Sequence, residues 1–92
     1  MADAVGRKVR VHGRVQGVFF RQWTLERARS LGVRGWVRNR TDGSLEAHLA
    51  GEEGAVAAMI EAMRGGPPQA RVDDLTVDEV EPEAVEGFSV RL

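Results

Sequence analysis

The 92-residue sequence predicts an α+β sandwich, in which two helices lie on one face of an antiparallel or mixed sheet. The expected element order is β-α-β-β-α-β with a short final strand. Three features carry this expectation. Several stretches alternate apolar and polar residues, as half-buried strands do. Two longer stretches repeat their apolar residues at helical spacing. An Asp-Gly pair sits between two of the alternating stretches, where a tight hairpin turn needs positive φ.

In "RKVRVHGRV", Val9, Val11 and Val15 share one face with Gly13, while Lys8, Arg10, His12 and Arg14 share the other. From Phe20 the period changes. Phe20, Thr24, Ala28 and Leu31 recur as one side of a helix, and Gly32 stands where a C′ glycine ends one. "VRGWVRN" returns to alternation, with Val33, Gly35 and Val37 inward and Trp36 on the exposed side between Arg34 and Arg38. "RTDGS" makes the turn, and "LEAHLA" follows with Leu45, Ala47 and Leu49 inward and Glu46 and His48 outward.

"GEEGAVAAMIEAMR" is the clearest helix. Val56, Met59, Ile60 and Met63 fall at i, i+3, i+4 and i+7, and Glu52 and Glu53 suit its N-terminal dipole. "GGPP" ends it. "RVDDLTVDEV" and "EGFSVRL" alternate less perfectly and are expected as the last two strands. A hairpin between two βαβ-type crossovers is the ferredoxin-like arrangement. Only one face of each strand is apolar, so both helices must cover the same face. No repeat, low-complexity tract or linker divides the chain. A single domain over residues 1–92 is expected, with about the first five residues outside its elements.

The chain has no cysteine, which excludes disulfides, thiol catalysis and zinc–thiolate sites and fits a reducing compartment. Its apolar runs are too short to span a bilayer, and "MADAVGRKVR" contains no apolar signal core. A cytoplasmic location away from membranes is therefore expected. The net charge of −1 hides an asymmetry: Met1–His48 carries +6 and Leu49–Leu92 carries −7. A basic half suits an anionic partner, and it equally suits pairing with the acidic half.

The stretch "GRVQGVFFR", Gly13 to Arg21, spans the change from strand to helix period. Gly17 permits a tight turn whose N–H groups converge on an anion, and a helix N-terminus adds its dipole. Arg21 in the first turn offers a bidentate contact to phosphate or carboxylate. An ordinary βα loop with an exposed arginine accounts for the same residues. Asn39 ends a strand before the turn, where it serves as a common turn residue or as an amide that holds a water. His12 and His48 are single histidines on outward faces, and no cluster has metal-ligand spacing. Ser30, Ser44 and Ser89 lack a nucleophile context. Glu52–Glu53 and Asp73–Asp74 read as solvated ends.

Two motifs together resemble the acylphosphatase family. "GRVQGVFFR" matches its G-x-V-Q-G-V-x-F-R loop at every fixed position, and "GWVRNRTDGSLE" matches its G-W-V-x-N stretch with a following Asp-Gly and acidic strand residue. "LAGEEGAV" and "GGPPQARVDDL" are also similar to the family, so the resemblance runs from about Lys8 to Leu92.

The resemblance implies hydrolysis of the carboxyl-phosphate bond of an acyl phosphate, giving a carboxylate and inorganic phosphate, which is also an inhibitor. It implies that Arg21 binds the phosphoryl group with the loop amides of Gln16, Gly17, Val18, Phe19, Phe20 and Arg21. It further implies that Asn39 orients the attacking water, without metal, cofactor or phosphoenzyme. The alternatives are a non-catalytic anion-binding module and an RNA-binding ferredoxin-like module. The second would need stacking aromatics on the central strands, where Trp36 is the sole candidate. No exposed apolar stripe demands a partner, so a monomer that binds no nucleic acid is expected.

Overall fold

The computed structural model describes residues 4–92. Its elements are β1 (Val5–Arg14), α1 (Phe20–Leu31), β2 (Arg34–Asn39), β3 (Leu45–Gly51), α2 (Glu53–Gly65), β4 (Arg71–Val80) and β5 (Phe88–Arg91). The five strands form one sheet in the order β4-β1-β3-β2-β5. All neighbours are antiparallel except β2 and β5, which are parallel. β3 lies between β1 and β2, and β1 lies between β3 and β4. Each helix therefore spans a strand that is inserted later or earlier in the chain, as the ferredoxin-like order requires.

The core forms where helical and strand periods meet. Phe20, Thr24 and Ala28 of α1 and Val56, Met59, Ile60 and Met63 of α2 are buried. They face Val9, Val11, Val37, Leu45, Ala47 and Leu49 of the sheet. α1 ends at Gly32, whose φ of 74° is the left-handed conformation expected of a glycine there.

β1 begins at Val5, two residues before the alternation suggests, because its partners continue that far: Val5 pairs with Gly51, and Gly6 with Ala50 and Val80. Gly6 is required there, since a Cβ would run into the backbone of Val80 to Pro82. Of the first five residues expected outside the elements, Val5 thus belongs to the sheet and residues 1–3 lie outside the described part. At the other end of β1 the β4 register shifts between His12 and Gly13, a bulge that bends the strand just before it leaves the sheet.

β1 also resolves much of the charge asymmetry. Lys8 lies opposite Asp78, His12 opposite Asp74, and Arg7 pairs with Glu79 at 3.6 Å. The basic strand and the acidic edge strand are neighbours.

The outer face of the sheet differs from the alternation reading. Trp36, Glu46 and His48 do project to the side away from the helices, but they are covered. Trp36 is 7% exposed and Glu46 6%. Arg38, Arg40 and His48 close over Glu46, and Trp36 and His48 are covered by the connection from β4 to β5. These strands are opposite edges, so residues 81–87 must cross β1, β3 and β2. Glu83 of this segment accepts a hydrogen bond from Trp36 Nε1 at 3.0 Å and lies 2.9 Å from His48 Nδ1. The His48 ring stacks on Trp36 with centroids 4.2 Å apart, and the Arg91 guanidinium lies 4.6 Å from the Trp36 ring centre.

Gly35, at φ 137°, allows β2 to lie against β3: a Cβ there would overlap the His48 carbonyl. Gly35→Ala is expected to destabilise the fold by about 3 kcal/mol or more, measured by urea denaturation. A loss below about 1 kcal/mol would contradict this close approach.

Candidate active site

β1 leaves the sheet at Arg14, and the chain turns through residues 15–19 into α1. Gly17 has φ 73° and Phe19 φ 62°, so two left-handed residues make the turn. Between them Val18 is buried as an anchor, with Val15 and Phe20 on either side of the loop also in the core. Phe19 is the N-cap residue, and no side chain caps the helix.

The first helical hydrogen bond runs from Trp23 N to Phe19 O, at 3.0 Å. The backbone N–H groups of Phe19, Phe20, Arg21 and Gln22 therefore have no partner within the helix. These same four residues line a cavity of about 460 Å³, together with Val15, Gly17, Asn39 and Val90. No acidic residue lies in the first turn of α1. The dipole, the free N–H groups and the Arg21 guanidinium add in one direction, toward a negative charge in the cavity. Among the described residues Arg21 enters no ion pair.

Asn39 reaches the same cavity from the end of β2. Its Oδ1 is buried and has no hydrogen-bond partner among the described residues. The residues on either side pin it in this direction. Arg38 and Arg40 turn to the outer face, where both donate to Glu46 Oε1, at 3.0 and 2.7 Å. His48 Nε2 lies 2.8 Å from the other oxygen, Oε2. Burial pushes the Glu46 carboxyl up, but hydrogen bonds from His48, Arg40 and Arg38 outweigh it and hold it at about 2. With its two neighbours held on one face, Asn39 must point to the other.

Gln16 connects these two walls. Its Nε2 donates to the carbonyls of Arg40, at 2.8 Å, and Ser44, at 3.0 Å. Those carbonyls belong to the β2–β3 turn, which is closed by Arg40 N donating to Ser44 O and by Asp42 accepting from Ser44 N. The loop after β1 and the turn after Asn39 are thus tied by one side-chain amide.

The cavity brings together Gly17, Phe19, Phe20, Arg21 and Asn39 of the expected site. The Gln16 side chain is engaged in the turn and the Val18 side chain lies in the core, which leaves only their backbone for a ligand. Gln22 and Val90 are additions. Gln22 is the fourth residue of the uncapped turn, so the position of the helix start is the signal that identifies it. Val90 shares the face of Phe88 and pairs with Val37, a placement that depends on β5 docking beside β2. Among the described residues no group of three or more His, Cys, Asp or Glu side chains is arranged to hold a metal ion.

The fold and the cavity define a ferredoxin-like domain with an anion cradle at the N-terminus of its first helix. The acylphosphatase family profile matches residues 7–90, and the chain belongs to the acylphosphatase family. An acylphosphatase of Rhodospirillum rubrum is 58% identical over 81 residues, which cover 88% of this chain and 89% of that protein. One from Anaeromyxobacter dehalogenans is 49% identical over 92 residues and 99% of both chains. The crystal structure of the acylphosphatase from Bacillus subtilis superposes with a TM-score of 0.92 at 36% identity, covering 96% of this chain and 99% of that one. The activity of the chain is accordingly that of an acylphosphatase.

Two outcomes follow from the tie and the buried carboxylate. Gln16→Ala is expected to cost about 0.5–1.5 kcal/mol by removing the side-chain donor that two turn carbonyls share in addition to their backbone donors, with faster amide exchange in residues 40–44. Unchanged exchange there would contradict the tie. Glu46 ionises at about 2 in the fold against an ordinary 4.5, so its contribution is complete above 4.5 and is lost as pH falls through about 2. Denaturation curves should show Glu46→Gln less stable than wild type by about 1–3 kcal/mol at pH 7 and the gap closing toward pH 2. A gap independent of pH would exclude this linkage.

Proposed function

We propose that Arg21 and the free amides at the start of α1 bind the phosphoryl group of an acyl phosphate, and that Asn39 orients the water that attacks it. The observation that carries this reading is the convergence on one cavity of four unpartnered N–H groups, an unpaired guanidinium and an unpartnered amide oxygen. Phosphoryl transfer asks mainly for positioning and for stabilisation of charge on the equatorial oxygens. N–H donors and an arginine fork supply both. Asn39 Oδ1 accepts a hydrogen bond from the water and aims its oxygen at phosphorus.

As the water oxygen bonds to phosphorus, the bond from phosphorus to the acyl oxygen breaks and its electron pair leaves with the carboxylate. A carboxylate is a good leaving group, so no strong general acid is needed, and the cavity lining contains none. The proton of the water passes to a phosphate oxygen of the substrate. Inorganic phosphate remains in the cradle as the product and acts as a competitive inhibitor. The same reading takes residues 1–92 as a single acylphosphatase domain, monomeric and cytoplasmic. Its lack of cysteine supports that location, and its scattered exposed apolar side chains support the monomer. No helix among the described residues is long and apolar enough to cross a membrane. The covered state of Trp36 favours an enzyme over a base-stacking RNA module.

The test is hydrolysis of benzoyl phosphate by wild type, Arg21→Ala and Asn39→Ala. Both variants should keep the wild-type circular dichroism spectrum and lose turnover by roughly 10²–10³-fold or more. Arg21→Ala should also weaken inhibition by inorganic phosphate. An Arg21→Ala variant that retains activity would refute the site.

A further inference from the structure

The cradle and Asn39 account for the polar part of the cavity lining. Much of the rest is apolar. Phe19 is 79% exposed and Val90 38%, and both line the cavity that holds Arg21 and Asn39. Phe19 is the one non-glycine residue with positive φ among the described residues. A bulky side chain in the left-handed region is strained, and such outliers persist where the surroundings impose them and where function uses them. Here the strain holds a benzyl group in solvent at the mouth of the site instead of in the core. Val90 is brought to the same cavity by β5, the edge strand parallel to β2. Its pairing with Val37 sets it on the face of Asn39 and beside the end of β2.

At about 460 Å³ the cavity falls in the range of pockets for small organic ligands, so it has room for more than a phosphoryl group. Arg21 is the one charged residue in its lining. An acyl group bearing a second phosphate or carboxylate would meet no second cation there, whereas an apolar acyl group meets Phe19 and Val90.

We infer that Phe19 and Val90 form an apolar lip that selects acyl phosphates with an aromatic acyl group. This rests on the proposed role of the cradle, since the phosphoryl group must be held at Arg21 for the acyl group to reach the lip. An aromatic acyl group stacks against the Phe19 ring and covers Val90, and an acetyl group reaches neither well.

The experiment measures two ratios in wild type, Phe19→Asn and Val90→Ser. One is the affinity for phenylphosphonate relative to methylphosphonate, by calorimetry. The other is kcat/KM for benzoyl phosphate relative to acetyl phosphate. Asparagine tolerates the left-handed conformation, so Phe19→Asn keeps the loop geometry. Wild type should bind phenylphosphonate about tenfold more tightly than methylphosphonate. Each substitution should reduce both ratios about threefold. Equal binding of the two phosphonates by wild type would overturn the lip, as would ratios unchanged in both variants. Should Phe19→Asn fail to fold, the ratios in Val90→Ser decide. Failure of the cradle is distinguishable: Arg21→Ala would then bind both phosphonates as wild type does, which overturns both readings. An aromatic preference in binding without turnover of either acyl phosphate supports the lip and removes the proposed chemistry.

Discussion

Four backbone N–H groups at the start of α1 have no partner among the described residues, and the arrangement of the site follows from leaving them free. A serine or aspartate at position 19, in the extended backbone usual for an N-cap, would cap the helix and add stability. Phenylalanine in a left-handed conformation leaves the donors open instead. The rest of the loop then has to hold that geometry without help from a cap. Val15, Val18 and Phe20 do so by burial, and Gln16 does so by reaching across to the β2–β3 turn.

Asn39 is held by a different device on the far side of the sheet. Alternation along β2 sends Arg38 and the following Arg40 to the outer face, where Glu46 takes both and His48 takes the other Glu46 oxygen. This ionic cluster, with Glu46 buried at its centre, sits behind the site, and none of its members lines the cavity. Its structural effect is to fix the strand end, and through the strand end the direction of one amide. Its members share the outer face with Trp36, so the covering segment around Glu83 is part of the same support.

Much of this was legible in the sequence for reasons that can be named. The strands and helices follow from periods that local burial imposes, as the full burial of Val9, Val11, Met59 and Met63 illustrates. Arg21 and Asn39 stand out through two short motifs, each tied to a junction between elements. What escaped depends on residues distant in the chain. Trp36, Glu46 and His48 have the parity of exposed residues; the path of residues 81–87 covers Trp36 and His48, and Arg38, Arg40 and His48 cover Glu46. Val5 joins β1 because β3 continues to Gly51, its partner. Val90 reaches the cavity because β5 docks on β2, which no local pattern in "EGFSVRL" specifies. Gln16 has the composition of a ligand-facing residue and the position of a brace.

β1 is the first strand to be synthesised, yet it lies between β3 and β4, and β4 ends at Val80. The sheet therefore cannot close as the chain emerges. β1 can pair with β3 once Gly51 is free, but its other edge stays open until most of the protein has been made. Contacts this distant in sequence are slow to form, and the cavity wall contributed by Val90 comes later still. For a growing chain, the cavity is assembled only after β5 has been made, long after the loop that forms its floor has emerged.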